Sequence, residues 1–296
     1  MQTQEEILGS TLKYLRKQKG LTQIELSNGL CTQAQISRIE SGLMIPNAIL
    51  CYQFIKKLGI SLDYFFSLIE NERSDYILDF RQQAGDMVRA RDYEGLYELV
   101  TGEMTNPIFK SSYDKQFLYW HMGIAEFHFN NNYQTGIDYV KKALTQIVEE
   151  HQVHHYTAQE INILHSIGVF EHLLENHDRA IYWLRKAITI QEQYIAEPNT
   201  RMLTRIYFTL SQALTKSSRY RDSLEAINQG IDSSLKNKTF SLLGELYHQK
   251  GFTYIFLNEE DRALTYLYKA IQLFEATDQS YMSIYPREVI EEYKLE

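Results

Sequence analysis

Cysteine, proline and glycine are all scarce in this chain, and each scarcity excludes something. The 296 residues hold 2 cysteines, Cys31 and Cys51, too few and too far apart for a disulfide framework or a zinc knuckle. Four prolines and 14 glycines exclude collagen-like and low-complexity classes. No apolar run approaches the roughly 20 residues that span a bilayer, so no membrane partner is expected. The opening MQTQEEILG lacks the basic and apolar order of a secretory leader, so a cytoplasmic location with both thiols free is expected. No Ser/His/Asp order, phosphate-cradling glycine loop or paired catalytic carboxylates stand out, which predicts no enzyme, no catalytic residue and no cofactor.

What is present is helical periodicity. Leu8, Leu12 and Leu15 recur at helical spacing, and no long alternating pattern suggests a strand. The prolines punctuate this pattern: Pro46, Pro107 and Pro198 between helices, Pro286 just before the last one. The predicted class is all-α, and the length favours two domains.

Within residues 5–66, read as five short helices, the string from Leu21 to Gly42 is the most informative. Thr22 followed by Glu25 is a capping box. Leu26, Leu30, Ile36 and Ile39 face a core, and Thr32 caps a second helix. Gln33, Ala34, Ser37 and Arg38 are left on an outward stripe, which on spacing alone is also what any solvated helix face looks like. Glu40 is read as bracing Arg38 or a helix end. The string Leu21-Thr22-Gln23, with Ile36-Ser37-Arg38-Ile39-Glu40 and Gly42, resembles the Cro/Xre-type helix-turn-helix family over about 60 residues. Cys31 stands where the family's turn usually has glycine, and the turn is about one residue short. The resemblance implies a five-helix DNA-binding domain over 1–66 whose helix from about Thr32 to Glu40 enters the major groove of double-stranded DNA. Gln33 and Arg38 would then read base edges, Ala34 a thymine methyl, and Gln23 and Ser37 would hold phosphates. So small a module implies a homodimer on a pseudo-palindromic operator. The net charge of −8 fits once divided, with residues 1–66 at +2 and the remainder at −10.

Beyond a charged linker at 67–75, the chain repeats itself. Asp178-Arg179-Ala180-Ile181-Tyr182-Trp183-Leu184-Arg185-Lys186-Ala187-Ile188 matches the stretch from Asp261 to Ile271 at seven of eleven positions. Weaker copies start at Asp92, Asn132 and Arg219. Ala143, Ala187, Gly230 and Ala270 fall 44, 43 and 40 residues apart. Such a period is that of a helical hairpin that buries its apolar face by stacking on copies of itself. The pattern resembles the tetratricopeptide repeat, with Gly168 and Gly251 as small residues of first helices and Ala180 and Ala263 of second ones. About five degenerate repeats over 76–296, with a C-terminal cap from Tyr281, are predicted, forming a solenoid with a concave face.

In that register the first helices point a polar and aromatic set into the concave face. It comprises Arg81 and Gln82, then His121 with Met122, Ala125 and His128, then Asn162, His165, Ser166, Val169 and His172. Arg205, Phe208, Thr209 and Gln212 follow, and Glu245, His248, Gln249 and Phe252 close the set. Amides and arginine suit a peptide main chain and carboxylate, while Phe suits its apolar side chains. The histidine pairs seven apart lie about 10.5 Å apart on one helix, too far for one ion to span, so no metal site is predicted. Combined with strings such as Ser218-Arg219-Tyr220 and Leu243 to Gly251, the two halves resemble the RNPP (RRNPP) family of peptide-responsive quorum-sensing transcription regulators. That resemblance implies dimeric repeats, a short signalling peptide bound in the groove, and transcriptional activation as the direction. A regulator whose repeats bind a protein partner, or sense a small molecule or metal, is the alternative.

Overall fold

The computed structural model describes residues 3–60, 62–70, 74–146, 156–193, 200–236, 242–277 and 279–295, and the described residues are helical with no strand. Five helices come first: α1 (Gln4–Gln18), α2 (Gln23–Ser27), α3 (Gln33–Glu40), α4 (Ala48–Leu58) and α5 (Leu62–Glu70). Ten more form five successive pairs. They are α6 (Ser74–Ala90) with α7 (Tyr93–Glu103), α8 (Ser112–His128) with α9 (Tyr133–Thr145), and α10 (Ala158–Leu173) with α11 (His177–Gln193). The last two are α12 (Thr200–Lys216) with α13 (Tyr220–Lys236), and α14 (Leu243–Ile255) with α15 (Glu260–Ala276). A 3-10 turn at Ser280–Ser283 and α16 (Ile284–Glu292) end the chain.

The all-α expectation therefore holds. Part of the expected linker, 71–73, and Pro198 lie outside the described residues. Pro286 sits within the first turn of α16 rather than before it. That position tolerates proline because its missing N–H would have no partner within the helix.

The chain divides into two compact units, and the division falls inside α10. Unit 1 spans 1–163 and 194–197, and unit 2 spans 164–193 and 198–296.

In unit 1 the five N-terminal helices close over Leu12, Leu26, Ile36, Ile39, Phe54 and Phe65, all fully enclosed. Gly9 is required where α1 crosses the end of α3, because a Cβ there would collide with the Ile39 carbonyl oxygen. The same unit contains the first two helix pairs. The Tyr14 hydroxyl donates to the Leu78 carbonyl at 2.6 Å, and the Ala158 N–H donates to the Gly59 carbonyl at 3.0 Å.

The pairs share one turn, a regularity that their sequences hide. Arg91, Asn131, Glu175, Ser218 and Asn258 all adopt left-handed backbone, with φ between 55° and 63°. In each case the next residue's N–H reaches back to a carbonyl in the last turn of the preceding helix, as Asn176 does to Glu171. Glycine is the usual residue for this conformation, yet none of the five is glycine. A left-handed non-glycine residue costs about 1–2 kcal/mol. The exposed Glu175→Gly change is therefore expected to raise stability by about 0.5–1 kcal/mol, after glycine's greater unfolded-state entropy is subtracted. A fall in the urea midpoint would refute this.

Unit 2 shows why small residues recur. A Cβ on Gly168 would lie 2.6 Å from Leu184 Cγ, and one on Gly251 2.7 Å from Leu267 Cγ. Ala180 and Ala263, the small residues of the second helices, have no exposed surface. At the end of the chain Leu295 packs on Ala263 and Leu267, with Val289 and Ile290 alongside.

Candidate nucleic-acid interface and ligand site

The N-caps place α2 and α3. The Thr22 N–H donates to Glu25 Oε2 at 2.6 Å, and Thr22 Oγ1 accepts from the Glu25 N–H at 3.2 Å. Hydrogen bonding from the Thr22 backbone N–H, and then from its hydroxyl, holds the Glu25 carboxyl below its ordinary pKa. Thr32 and Gln35 repeat the box for α3, at 3.0 and 3.2 Å. The turn between the helices does contain a left-handed glycine, Gly29 at φ 76°. It precedes Cys31 by two residues. Alignment of Cys31 with the family's usual glycine therefore misplaces the turn, because α2 ends early, at Ser27.

Thr32, Gln33, Ala34, Ser37 and Arg38 are exposed along α3, and Gln23 is half-buried at the start of α2. Glu40 does not brace Arg38. Two residues on a helix are turned about 200° apart, so Arg38 faces outward and Glu40 inward. There Glu40 meets Arg16 of α1 in a two-pronged pair, Nε–Oε1 at 2.5 Å and Nη2–Oε2 at 3.0 Å. Both side chains are almost fully buried. The same carboxylate accepts from Gln23 Nε2 at 2.9 Å, and Gln33 Nε2 donates to Gln23 Oε1 at 2.7 Å. A buried ion pair thus fixes the orientation of two amides, the half-buried Gln23 and the exposed Gln33. Among the described residues Arg38 has no carboxylate partner, so its five donors are available.

Breaking the pair should therefore disturb both stability and binding. Arg16→Met leaves the Glu40 charge buried alone and is expected to cost about 3–5 kcal/mol. Glu40→Gln, which keeps an acceptor for Arg16, should cost less in stability while still loosening Gln23. Equal urea midpoints for wild type and Arg16→Met would contradict this.

The expected groove residues fall differently in the two units. In unit 1, Arg81 is enclosed. Its Nη2 donates to Asp114 Oδ1 at 2.9 Å and to the Tyr113 carbonyl at 3.2 Å, and its Nη1 donates to Gln159 at 3.0 Å. Three rings surround the guanidinium, with centroids at 4.3 Å (Phe117), 4.8 Å (Tyr64) and 5.0 Å (Tyr113). Tyr64 belongs to α5, so Arg81 ties the N-terminal helices to α6 and α8. His121 is buried too, stacked on Phe117 at 3.8 Å with Nδ1 2.9 Å from the Phe117 carbonyl. Met122 and Ala125 are enclosed, and His128 is partly buried against Tyr93. Gln82 and Asn162 stay accessible.

In unit 2 the first helices present a continuous accessible stripe. Val169 and His172 on α10, Phe208 and Gln212 on α12, and Glu245, His248 and Phe252 on α14 are half-buried, and Arg205 is exposed. Thr209 and Gln249 lie beneath as ties between helices. His165 Nε2 is 3.3 Å from Thr209 Oγ1, and Gln249 Nε2 donates to Thr215 Oγ1 at 3.1 Å. Ser166 completes the α10 face. Among the described residues no group of three or more His, Cys, Asp or Glu side chains is placed to hold a metal ion.

Burial pushes the imidazoles of His121 and His165 down to about 3. The neutral form is thus favoured in the fold, whereas the unfolded chain titrates near 6.5. Their stabilisation is complete above pH 6.5 and is lost as pH falls from 6.5 towards 3, at up to about 1.4 kcal/mol per pH unit for each. Urea midpoints that stay level between pH 7.5 and pH 5 would contradict this.

Among the described residues, no helix is long and apolar enough to cross a membrane. No curated protein sequence matches the chain. A helix-turn-helix profile matches residues 12–65, and the profile of the RNPP family C-terminal domain matches residues 81–293. Among solved structures, PlcR of Bacillus thuringiensis in complex with the peptide PapR7 and DNA is 25% identical, with a TM-score of 0.65 over 95% of this chain and 99% of that one. Its apo form is 21% identical, with a TM-score of 0.64 over 96% and 98% of the two chains. The apo competence regulator ComR of Streptococcus vestibularis shares the fold at 14% identity and TM-score 0.54, over 99% and 100%. With its C-terminal domain profile matched across most of the sequence, the chain belongs to the RNPP family.

Proposed function

We propose that this protein is a cytoplasmic, homodimeric transcription regulator whose grip on a pseudo-palindromic operator is set by a short signalling peptide. The observation that carries the proposal is the pairing of two faces in one RNPP chain. One is an exposed α3 stripe with an uncommitted arginine. The other is an accessible polar and aromatic stripe on the first helices of unit 2. Residues 1–66 form the DNA-binding domain, 67–75 the linker and 76–296 the peptide-binding and dimerising repeats. Gln33 and Arg38 read base edges, Ala34 packs on a thymine methyl, and Thr32, Ser37 and Gln23 hold phosphates.

Peptide contacts concentrate on Val169, Arg205, Phe208, Gln212, Glu245, His248 and Phe252. His165, Thr209 and Gln249 hold the helices beneath them in register. Arg81 and His121 act from within the packing. The likeness to PlcR, solved with a peptide and DNA together, supports both halves of this reading.

Regulation needs little energy. A tenfold change in operator affinity is about 1.4 kcal/mol of differential peptide affinity between two arrangements. The test is operator binding by fluorescence anisotropy, with and without the peptide fraction of spent medium from the producing culture. Affinity should rise at least tenfold with it. Unchanged affinity would refute peptide control while leaving DNA recognition standing.

A further inference from the structure

Helix α12 carries two cations on the accessible stripe of unit 2, Arg205 and Lys216, with Phe208 and Gln212 between them. Eleven residues of helix place their backbones about 16 Å apart. Among the described residues neither has a carboxylate partner. Elsewhere in the same unit, Arg185 and Arg219 meet Asp222, Arg262 meets Glu259, and Arg287 meets Glu275, while the exposed Arg179, Arg201 and Arg221 have no carboxylate partner among the described residues.

Arg205 is exposed, yet the packing beside its guanidinium still lowers its pKa by desolvation. Burial, with Arg205 adding to it, lowers the pKa of His165, and burial, His177 and Lys216 in that order lower that of His172. An uncompensated cation pair on a body of net charge −10 is an unfilled electrostatic demand.

A second observation comes from α14. Glu245 Oε2 and His248 Nε2 are both buried without a hydrogen-bond partner. Orphaned buried polar atoms are costly, and a ligand whose main chain hydrogen-bonds to this face relieves them.

Resting on the peptide reading above, we propose that the ligand is an acidic peptide. Arg205 and Lys216 take two of its anionic groups, side-chain or terminal carboxylates, Glu245 accepts from a main-chain N–H, and His248 Nε2 hydrogen-bonds its main chain. An extended peptide covers 16 Å in about five residues, so a short peptide suffices.

The test uses the full chain and three synthetic heptapeptide libraries of equal length, one enriched in Asp and Glu, one neutral and one enriched in Lys and Arg. Binding is followed by thermal shift and by competition anisotropy. The acidic library should bind at least tenfold more tightly than the basic one, and its advantage should shrink as salt rises. Arg205→Gln and Lys216→Gln should each cost about tenfold towards the acidic library and little towards the neutral one. Arg221→Gln, on α13 and off the stripe, should match wild type. Equal binding of acidic and neutral libraries, or stripe variants no different from Arg221→Gln, would overturn the acidic-ligand inference alone. No binding of any library would overturn both it and the peptide reading.

Discussion

Alanine at Arg38 should abolish sequence-specific DNA binding while leaving the fold intact. The guanidinium is exposed on α3 and free of any described carboxylate, so its removal strands nothing inside the protein. A bidentate contact to a base edge is worth about 1–3 kcal/mol. A dimer on two half-sites loses it twice, so roughly thirtyfold or more in affinity should vanish, towards the non-specific level. Ser37→Ala, a phosphate-class change, should weaken all sequences about equally. The measurement is competition between the cognate duplex and a scrambled one, with circular dichroism as the control for fold. Affinity for the cognate duplex within threefold of wild type would remove Arg38 from the interface.

Arg81→Met should have the opposite profile, with a large loss of stability and no direct loss of a DNA contact. The substitution keeps much of the side-chain volume between Tyr64, Tyr113 and Phe117. It leaves Asp114, almost fully buried, without its cation. Removing one partner of a buried pair costs about 3–5 kcal/mol. Arg81→Met with Asp114→Asn should cost less than the single change, because the stranded charge goes too. Trp120 lies in unit 1, against Phe117 and His121, and Trp183 lies in unit 2. Trp120 fluorescence in a Trp183→Phe background therefore follows the unit that Arg81 holds. A shift in the urea midpoint worth less than 1 kcal/mol would show that Arg81 is not the tie.

These two arginines show what could be read from sequence and what could not. The helical hairpins were legible because stacking imposes small residues at fixed spacing, and Gly168, Gly251, Ala180 and Ala263 do sit where a larger side chain would collide or has no room. The α3 stripe was legible because Thr32 and its capping box fix where the helix starts, and the position of every later side chain follows. Arg81 was assigned to a groove by register alone. Register places a residue on a helix face but says nothing about what packs against that face. In unit 1 Tyr64, Tyr113 and Asp114 fill the space, and in unit 2 the equivalent stripe on α12 stays accessible.

Partnering was hidden for the same reason. Arg16 and Glu40 are 24 residues apart, and neither carries a local signal that a buried bond will join them. The shared left-handed turn was also invisible, since Arg91, Asn131, Glu175, Ser218 and Asn258 have no residue type in common. A run of polar residues before each second helix was the only trace.

In vitro selection from random duplexes by the full-length protein, with and without the peptide fraction of spent culture medium, tests the central claim most directly. The account predicts enrichment of a two-fold pseudo-palindrome that strengthens with the peptide fraction and disappears in the Arg38→Ala protein. Recovery of no preferred sequence under either condition would contradict it.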